Sequence, residues 1–431
     1  MRKNLQLFYF FQIDEAASFK QTLNHETMIN LITPVSVMLD PGTQPQVAVN
    51  IAFSQAGLQA LGITGDLQDE PFANGQMQDA SNLGDPGTTN WKPTFTDPSN
   101  LHGVFIIASD KQIKIDAMVA TLELGFGKSQ HNLYKLQGNV RPPPFACHEH
   151  FGWLDGIGQP AVSGFQTAFT GQQQVDPGVI LVGESGDPSV RPAWAKDGSF
   201  LAFRELQQLV PEFAKFVTDN APPVPGEDPK DYAGIFGARL FGRWKSGAPT
   251  FIASRADDLE LANDPQRNNA FNYTRPAQTS LQISLFVLPR AHTHCSKARP
   301  RADNVSHQNS IYRASIPFGT EVTPAEQASH TSDPTSERGL AFVAYQSGIA
   351  AGFQFLQKMW LNNPRFATGK NVDPGFDPIL GANHGEARYI KGAYISNPTE
   401  AMNIPNDFIV SRGGEYFFAP SISAIRDTIS V

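Results

Sequence analysis

Three stretches of the chain gather side chains that could do chemistry. The first runs from Cys147 to Pro160 (CHEHFGWLDGIGQP) and sets Asp155 between Leu154 and Gly156. An acid among aromatics and glycines is shielded from water. Partial burial raises a carboxyl above its ordinary value of about 3.9 and poises it as an acid/base. Asp-Gly is equally a turn signal, so a turn or helix-cap aspartate is the alternative. Cys147, His148, Glu149 and His150 carry metal-ligand atoms, and on a strand His148 and His150 would share one face. Two ligands two residues apart are half a site, and no other cluster has the spacing to complete it, so a polar surface loop is expected there. The second stretch, 289–319, holds His292 and His294 with Arg299, Arg301 and Arg313. Imidazole suits zinc, copper, iron and haem alike, so the residue does not name the metal. Arg313 precedes Ala-Ser-Ile-Pro-Phe-Gly and should sit on an apolar strand or turn, where it needs an anionic or polar partner; a structural ion pair is the alternative. In the third stretch, Pro374 to Gly381 (PGFDPILG), Asp377 could accept the second N–H of a metal-bound histidine, or simply make a turn.

Such residues need rigid elements to hold them. Leu5–Ile13 reads as a first strand, and Val47–Phe53 as a second. Ser54 then fits as the N-cap of a short helix ended by Gly62. Gly103–Ala108 is a compact apolar run suited to a buried strand. A helix follows with Ile115, Met118, Val119 and Leu122 on one face, closed by Gly125 and Gly127. The second half repeats this plan: Ser199–Arg204 and Leu340–Tyr345 as strands, then a helix with Ile349, Phe353, Leu356 and Trp360 on its apolar stripe. Pro- and Gly-rich segments at 84–98, 141–144, 185–192 and 221–226 read as loops, and long ordered loops are more often functional than idle.

Composition excludes several classes. The chain has 431 residues, enough for two domains, with 33 Lys and Arg against 41 Asp and Glu and a net charge of −8. Without a basic run, nucleic acid and anionic lipid are not expected partners. No segment approaches the roughly 20 apolar residues of a membrane helix. Cys147 and Cys295 are the only cysteines, which rules out a disulfide-built scaffold and a four-cysteine zinc site while leaving one bridge open. Met1-Arg2-Lys3 precedes an apolar stretch that meets Asp14 and Glu15 with no small-residue cleavage site, so a first strand rather than a leader is expected there. The expected location is extracellular, as a mature form, with the cytoplasm as the alternative.

In order and spacing, the motifs resemble the dye-decolorizing peroxidase family. GxxDG stands as Gly152-Trp-Leu-Asp155-Gly156, and HxxKxRPR as His294-Cys-Ser-Lys297-Ala-Arg299-Pro-Arg301. RxxIPFG stands as Arg313-Ala-Ser-Ile316-Pro317-Phe318-Gly319, with GLAFVAYQS at 339–347, FDPILG at 376–381 and VNIAFSQAGLQALG at 49–62. The resemblance spans nearly the whole chain, and the long loops look like those of the larger, fungal-type members. It implies an α+β fold of two ferredoxin-like domains, 1–150 and 151–431, with antiparallel sheets and peripheral helices, and haem b in the C-terminal one. It implies a peroxidase that uses hydrogen peroxide to oxidise dyes, phenols and lignin-related aromatics by one-electron steps. Asp155 would be the distal acid/base and Arg313 the charge-stabilising cation. His294 would be the axial iron ligand and Asp377 its acceptor, with Leu340, Phe342 and Arg299 completing the haem contacts.

His292 stands two residues before His294, and counting back from Lys297 selects His294. Phe318 occupies the place where the family sometimes has a radical-forming tyrosine. Trp360 matches the surface tryptophan that passes electrons from bulky dyes, and it also falls on the helix's apolar stripe. The rival readings are a haem-storage or haem-transfer protein on the same fold, which would not need both Asp155 and Arg313, and a non-haem metalloenzyme using His148 and His150.

Overall fold

The computed structural model describes residues 3–39, 42, 44–271, 293, 294, 297, 305–366 and 373–431. Among them the strands are β1 (Leu5–Ile13), β2 (Val47–Phe53), β3 (Gly103–Ser109), β4 (Gln130–Asn139), β5 (Ala161–Val162), β6 (Gln174–Val175), β7 (Ser199–Gln208), β8 (Tyr312–Arg313), β9 (Ile316–Phe318), β10 (Gly339–Gln346), β11 (Arg388–Lys391), β12 (Ala401–Ile404) and β13 (Ile409–Ala419). The first half contributes a four-stranded antiparallel sheet in the order β4-β1-β3-β2. The second half gives β13-β7-β10-β9, with β8 collinear with β9 along one edge of β10. If each half is numbered from its own first strand, both orders read 4-1-3-2, the ferredoxin-like arrangement. Two narrow seams join the halves: Phe418 of β13 pairs with Phe53 of β2, and Gly138 of β4 with Phe318 of β9. The eight strands thus close into one barrel without a free edge, which an antiparallel sheet would otherwise have to protect.

Alternation along the strands sorts side chains into two layers. Phe8 and Phe10 of β1, Val104 and Ile106 of β3, Leu201 and Phe203 of β7, and Ala341 and Val343 of β10 fill one cluster, the barrel interior. Their neighbours Tyr9, Phe11, Phe105, Phe200 and Phe342 face outward against helices. Both faces are covered, so the strands read as unbroken apolar runs rather than as alternation. Phe105, Phe11, Phe19 and Phe126 stack in succession between sheet and helix, which accounts for part of the chain's 31 phenylalanines.

Ser54 caps its helix as expected, its Oγ accepting the Gly57 N–H at 3.0 Å. The helix Gln112–Phe126 buries Ile115, Val119 and Leu122 and ends at Gly127, whose φ of +54° suits glycine. Gly125 does not close it but lies within it. Strand β7 outruns the expected Ser199–Arg204 by four residues and so carries Arg204, Leu206 and Gln208 to the functional cavity. The expected helix through Trp360 is one short turn, Phe353–Phe355, widened into a π-helix at Leu356–Leu361. Among the described residues no helix is long and apolar enough to cross a membrane.

The β10–β7 pair is the centre of the second half-sheet, and at Gly339 the two strands approach closely: a Cβ there would lie 1.9 Å from the Leu206 carbonyl oxygen. Gly339→Ala should cost about 3 kcal/mol or more of stability. A denaturant midpoint equal to that of the parent would contradict this packing.

Candidate active site

A cavity of about 300 Å³ lies against the outer face of β7 and β10. Leu340 and Phe342 turn into it because they sit two apart on β10, while Ala341 and Val343 point into the barrel. Asp155, Arg313 and His294 also line it. Residues as far apart in sequence as Asp155 and Phe342 therefore share one cavity wall.

His294 is held by Asp377, which is fully buried, through contacts of 3.1 and 3.2 Å to Nδ1. This bond places the proton on Nδ1 and leaves the Nε2 lone pair as the ring's free ligand position. Asp377 Oδ1 also accepts the N–H groups of Leu380 at 2.7 Å and Ile379 at 2.9 Å. Burial by itself would raise the Asp377 carboxyl, but neighbouring His294 and these N–H donors outweigh it and hold the group below its usual value. Lys297 is wholly buried, donates to the carbonyls of Gly375 at 2.8 Å and Asn363 at 3.0 Å, and lies over the Phe366 ring. It ties the histidine's segment to the one carrying Asp377, and burial brings its ammonium down to about 8. His292, Cys295, Arg299 and Arg301 lie outside the described residues.

Arg313 Nη1 donates to Asp155 Oδ1 at 2.8 Å, with both side chains roughly one-quarter exposed. The expected turn geometry is present as well: the Gly156 N–H donates to the same Oδ1 at 2.6 Å. Gln159 presents its amide to the Arg313 backbone, accepting the N–H at 3.0 Å and donating to the carbonyl. The distal loop and the arginine strand are thus built onto each other.

The four polar residues at 147–150 do not form a metal site. Cys147 is an exposed free thiol. His148 Nδ1 lies 2.9 Å from the Ala146 carbonyl. His150 is buried and donates from Nε2 to the Phe318 carbonyl at 2.8 Å. Among the described residues no cluster of three His, Cys, Asp or Glu side chains could hold a metal ion. His150 instead fastens the Asp155 loop to β9. Burial pulls its imidazole down to about 4, with Arg141 adding to the effect. Glu149, weighed in the sequence only as a metal-ligand candidate, lines the cavity and gathers three N–H donors on its carboxylate.

Trp360 is not a surface residue. It is 5% exposed, packed against Phe355 and Phe366 at 5.6 and 5.2 Å, and lines the cavity from the wide π turn. The fit of a haem is tested by the same wall. Phe241, Leu356, Ile379 and Leu380 make it apolar, and His294 offers one unused ring nitrogen. Buried Arg204 also lines it, bonded through Nη2 to Asp85 at 2.5 Å and to Ser411, while its Nε has no partner. An apolar enclosure with one histidine and a cation in the wall suits a flat ring system that carries iron and carboxylates.

The chain is similar to known proteins over its whole length. Residues 1–142 match the family model described as the DyP dimeric alpha+beta barrel domain, and residues 170–370 match Dyp-type peroxidase, C-terminal. The chain is 48% identical over 432 residues to a dye-decolorizing peroxidase of Exidia glandulosa, covering 100% of this chain and 85% of that protein. It is 47% identical over 445 residues to Peroxidase 2 of Mycetinis scorodonius, covering 100% and 86%. The crystal structure of a decolorizing peroxidase from Auricularia auricula-judae superposes with a TM-score of 0.93 at 46% identity, covering 100% of this chain and 97% of that one.

His150 gives the site a pH limit. Above its ordinary value of 6.5 the imidazole is neutral in both folded and unfolded chains, and its contribution is fully present. Between 6.5 and about 4 the unfolded chain takes a proton that the folded one refuses, so stability falls, by on the order of 3 kcal/mol in total. His150→Gln, which keeps an N–H donor, should lose less stability than the parent between pH 7 and pH 4 in denaturant unfolding. Parallel losses in the two proteins would count against it.

Proposed function

The chain belongs to the dye-decolorizing peroxidase family and is a peroxidase of that kind, and on that premise we propose that Asp155 and Arg313 act on hydrogen peroxide beside a haem b carried by His294. The observation that carries this reading is the 2.8 Å contact between Asp155 and Arg313 in a cavity that His294 also lines. A haem carrier on the same fold would have no use for that pair.

When bound, haem would supply an iron able to bind peroxide and to be oxidised by it. The remaining work falls to side chains. Asp155 accepts a proton at Oδ from the near peroxide oxygen and delivers it to the far one, which departs as water. Arg313 faces the negative charge that gathers as the O–O bond breaks, and its orientation is fixed in advance by Gln159 and Asp155. Asp377 keeps the His294 Nδ1 proton in place and strengthens Nε2 as a donor. Leu340 and Phe342 keep bulk water and large molecules from Asp155. Arg299 and Arg204 are the cations for the haem carboxylates.

Electrons then come singly from dyes, phenols and lignin-related aromatics. Those too large for the cavity would deliver them through Trp360, whose ring spans from the cavity wall to Phe366. The N-terminal domain, 1–150, and the C-terminal domain, 151–431, divide the labour, the latter holding the haem, and secretion of a mature form belongs to the same reading.

Asp155→Asn should slow the first spectral change on mixing with peroxide by about 10²- to 10⁴-fold while the Soret band stays in place. An unchanged rate would remove Asp155 from the proton-transfer role. His294→Ala should lose the axial ligand by absorption and magnetic resonance, and His292→Ala should not; the reverse pattern would move the ligand to His292. Trp360→Phe should slow a bulky anthraquinone dye several-fold and spare a small phenol. Equal effects on both would leave Trp360 with packing alone.

A further inference from the structure

The segment that delivers Asp155 is a small hairpin. Its outer rung is the Asp155 N–H donating to the Cys147 carbonyl at 3.0 Å, and its inner rung is the Glu149 N–H donating to the Trp153 carbonyl at 3.0 Å. The Gly152 N–H closes the tip on the Glu149 carbonyl at 2.9 Å, with Gly152 at a φ of +100°. Inside this tip sits the Glu149 carboxylate. One oxygen accepts the Trp153 N–H at 2.8 Å; the other accepts the Phe151 N–H at 2.8 Å and the Gln208 side-chain N–H at 2.5 Å. Gln208 ends β7, and its Oε1 also accepts the His150 N–H at 3.4 Å. Arg141 donates to the Glu149 carbonyl at 2.6 Å.

We propose that Glu149 is a positioning residue for Asp155: its carboxylate braces the 147–155 hairpin from within and fixes it to the barrel through Gln208, so that Asp155 meets Arg313 at the cavity wall. This rests on the reading of Asp155 as the proton-transfer residue. Three converging N–H donors require a group that only accepts, and a carboxylate is the side chain with two such oxygens. A glutamine has one acceptor oxygen and turns its own N–H₂ toward at least one of the three donors. The Glu149 carboxyl carries the cost of its place, since burial pushes it above its usual value and the charge of Asp155 adds to that. Trp153 anchors the far side of the tip, stacked on Phe241 at 3.9 Å with its indole N–H on the Arg243 carbonyl at 2.8 Å. The hairpin is therefore clamped at both sides, and Glu149 is the clamp that reaches β7.

The test is a double-mutant cycle in the haem-loaded enzyme. Glu149→Gln should lower the rate constant for reaction with peroxide by about 10- to 100-fold, as expected for a displaced reactive group. The KM for peroxide should rise, while turnover of a small phenol at saturating peroxide and the Soret band stay near the parent's. In an Asp155→Asn background, Glu149→Gln should cost nothing further, because the residue it positions is already disabled. Full additivity of the two substitutions, or an unchanged peroxide rate in a folded Glu149→Gln enzyme, overturns the proposal. If Asp155→Asn alone leaves the rate unchanged, the Asp155 reading fails and takes this one with it, a result distinct from additivity. Should Glu149→Gln not fold, Gln208→Met cuts only the tie to the barrel and should give a several-fold loss that likewise vanishes beside Asp155→Asn; persistence of that loss overturns the proposal equally.

Discussion

The pairing of β10 with β7 is the constraint on which the rest depends. It is the centre of the second half-sheet, and by fixing which side of each strand faces inward it decides what the cavity is made of. On β10 the inward set is Ala341 and Val343; the outward set is Leu340 and Phe342. On β7 the inward set includes Leu201 and Phe203, and the outward set Arg204, Leu206 and Gln208. A one-residue slip of β10 would exchange its two sets and bring the small and β-branched Ala341 and Val343 to the cavity in place of Leu340 and Phe342. Register is pinned from both sides, because the interior is packed with phenylalanine and the outer face is covered by helices and loops.

An apolar wall is a costly place for polar groups, and most of those that shape this site are answered by a partner. Asp377 answers His294 and two backbone N–H groups. Gln159 answers both backbone groups of Arg313. His150 ties the distal loop to β9, and Lys297 ties the histidine's segment to two carbonyls. These bonds run between elements distant in sequence, so each functional side chain is oriented by a neighbour that the barrel brings to it. Such an arrangement resists rotation of the catalytic groups and is what preorganisation requires.

Much of this was legible in the residues. Apolar runs marked β1, β2, β3 and β10, Ser54 marked a helix start, and the ordered motifs around Asp155, Arg313, His294 and Asp377 pointed to one family and one chemistry. Where the reading went astray, the cause was physical. A polar surface loop is expected at 147–150, but His150 is buried, because spacing alone does not reveal that the carbonyl of Phe318, 168 residues away, takes its ring N–H. For Trp360 the resemblance suggested a surface residue and the apolar stripe a buried one; its burial agrees with the stripe, while the π turn that carries it is not visible in the spacing. Glu149 stood out in the sequence only as one of four polar residues at 147–150, since two of its carboxylate's partners are backbone N–H groups that any residue could supply and the third, Gln208, comes from β7.

The sequence by itself therefore determined the family, the residue types available for catalysis and most of the strands, because these depend on local patterning and on side-chain chemistry. Only the tertiary structure decided that two four-stranded sheets share one barrel, that Asp155 and Arg313 stand 2.8 Å apart, and that Asp377 reaches His294 across 83 residues. Those facts are set by strand register and by the need of buried polar groups for partners, and both are satisfied through space rather than along the chain.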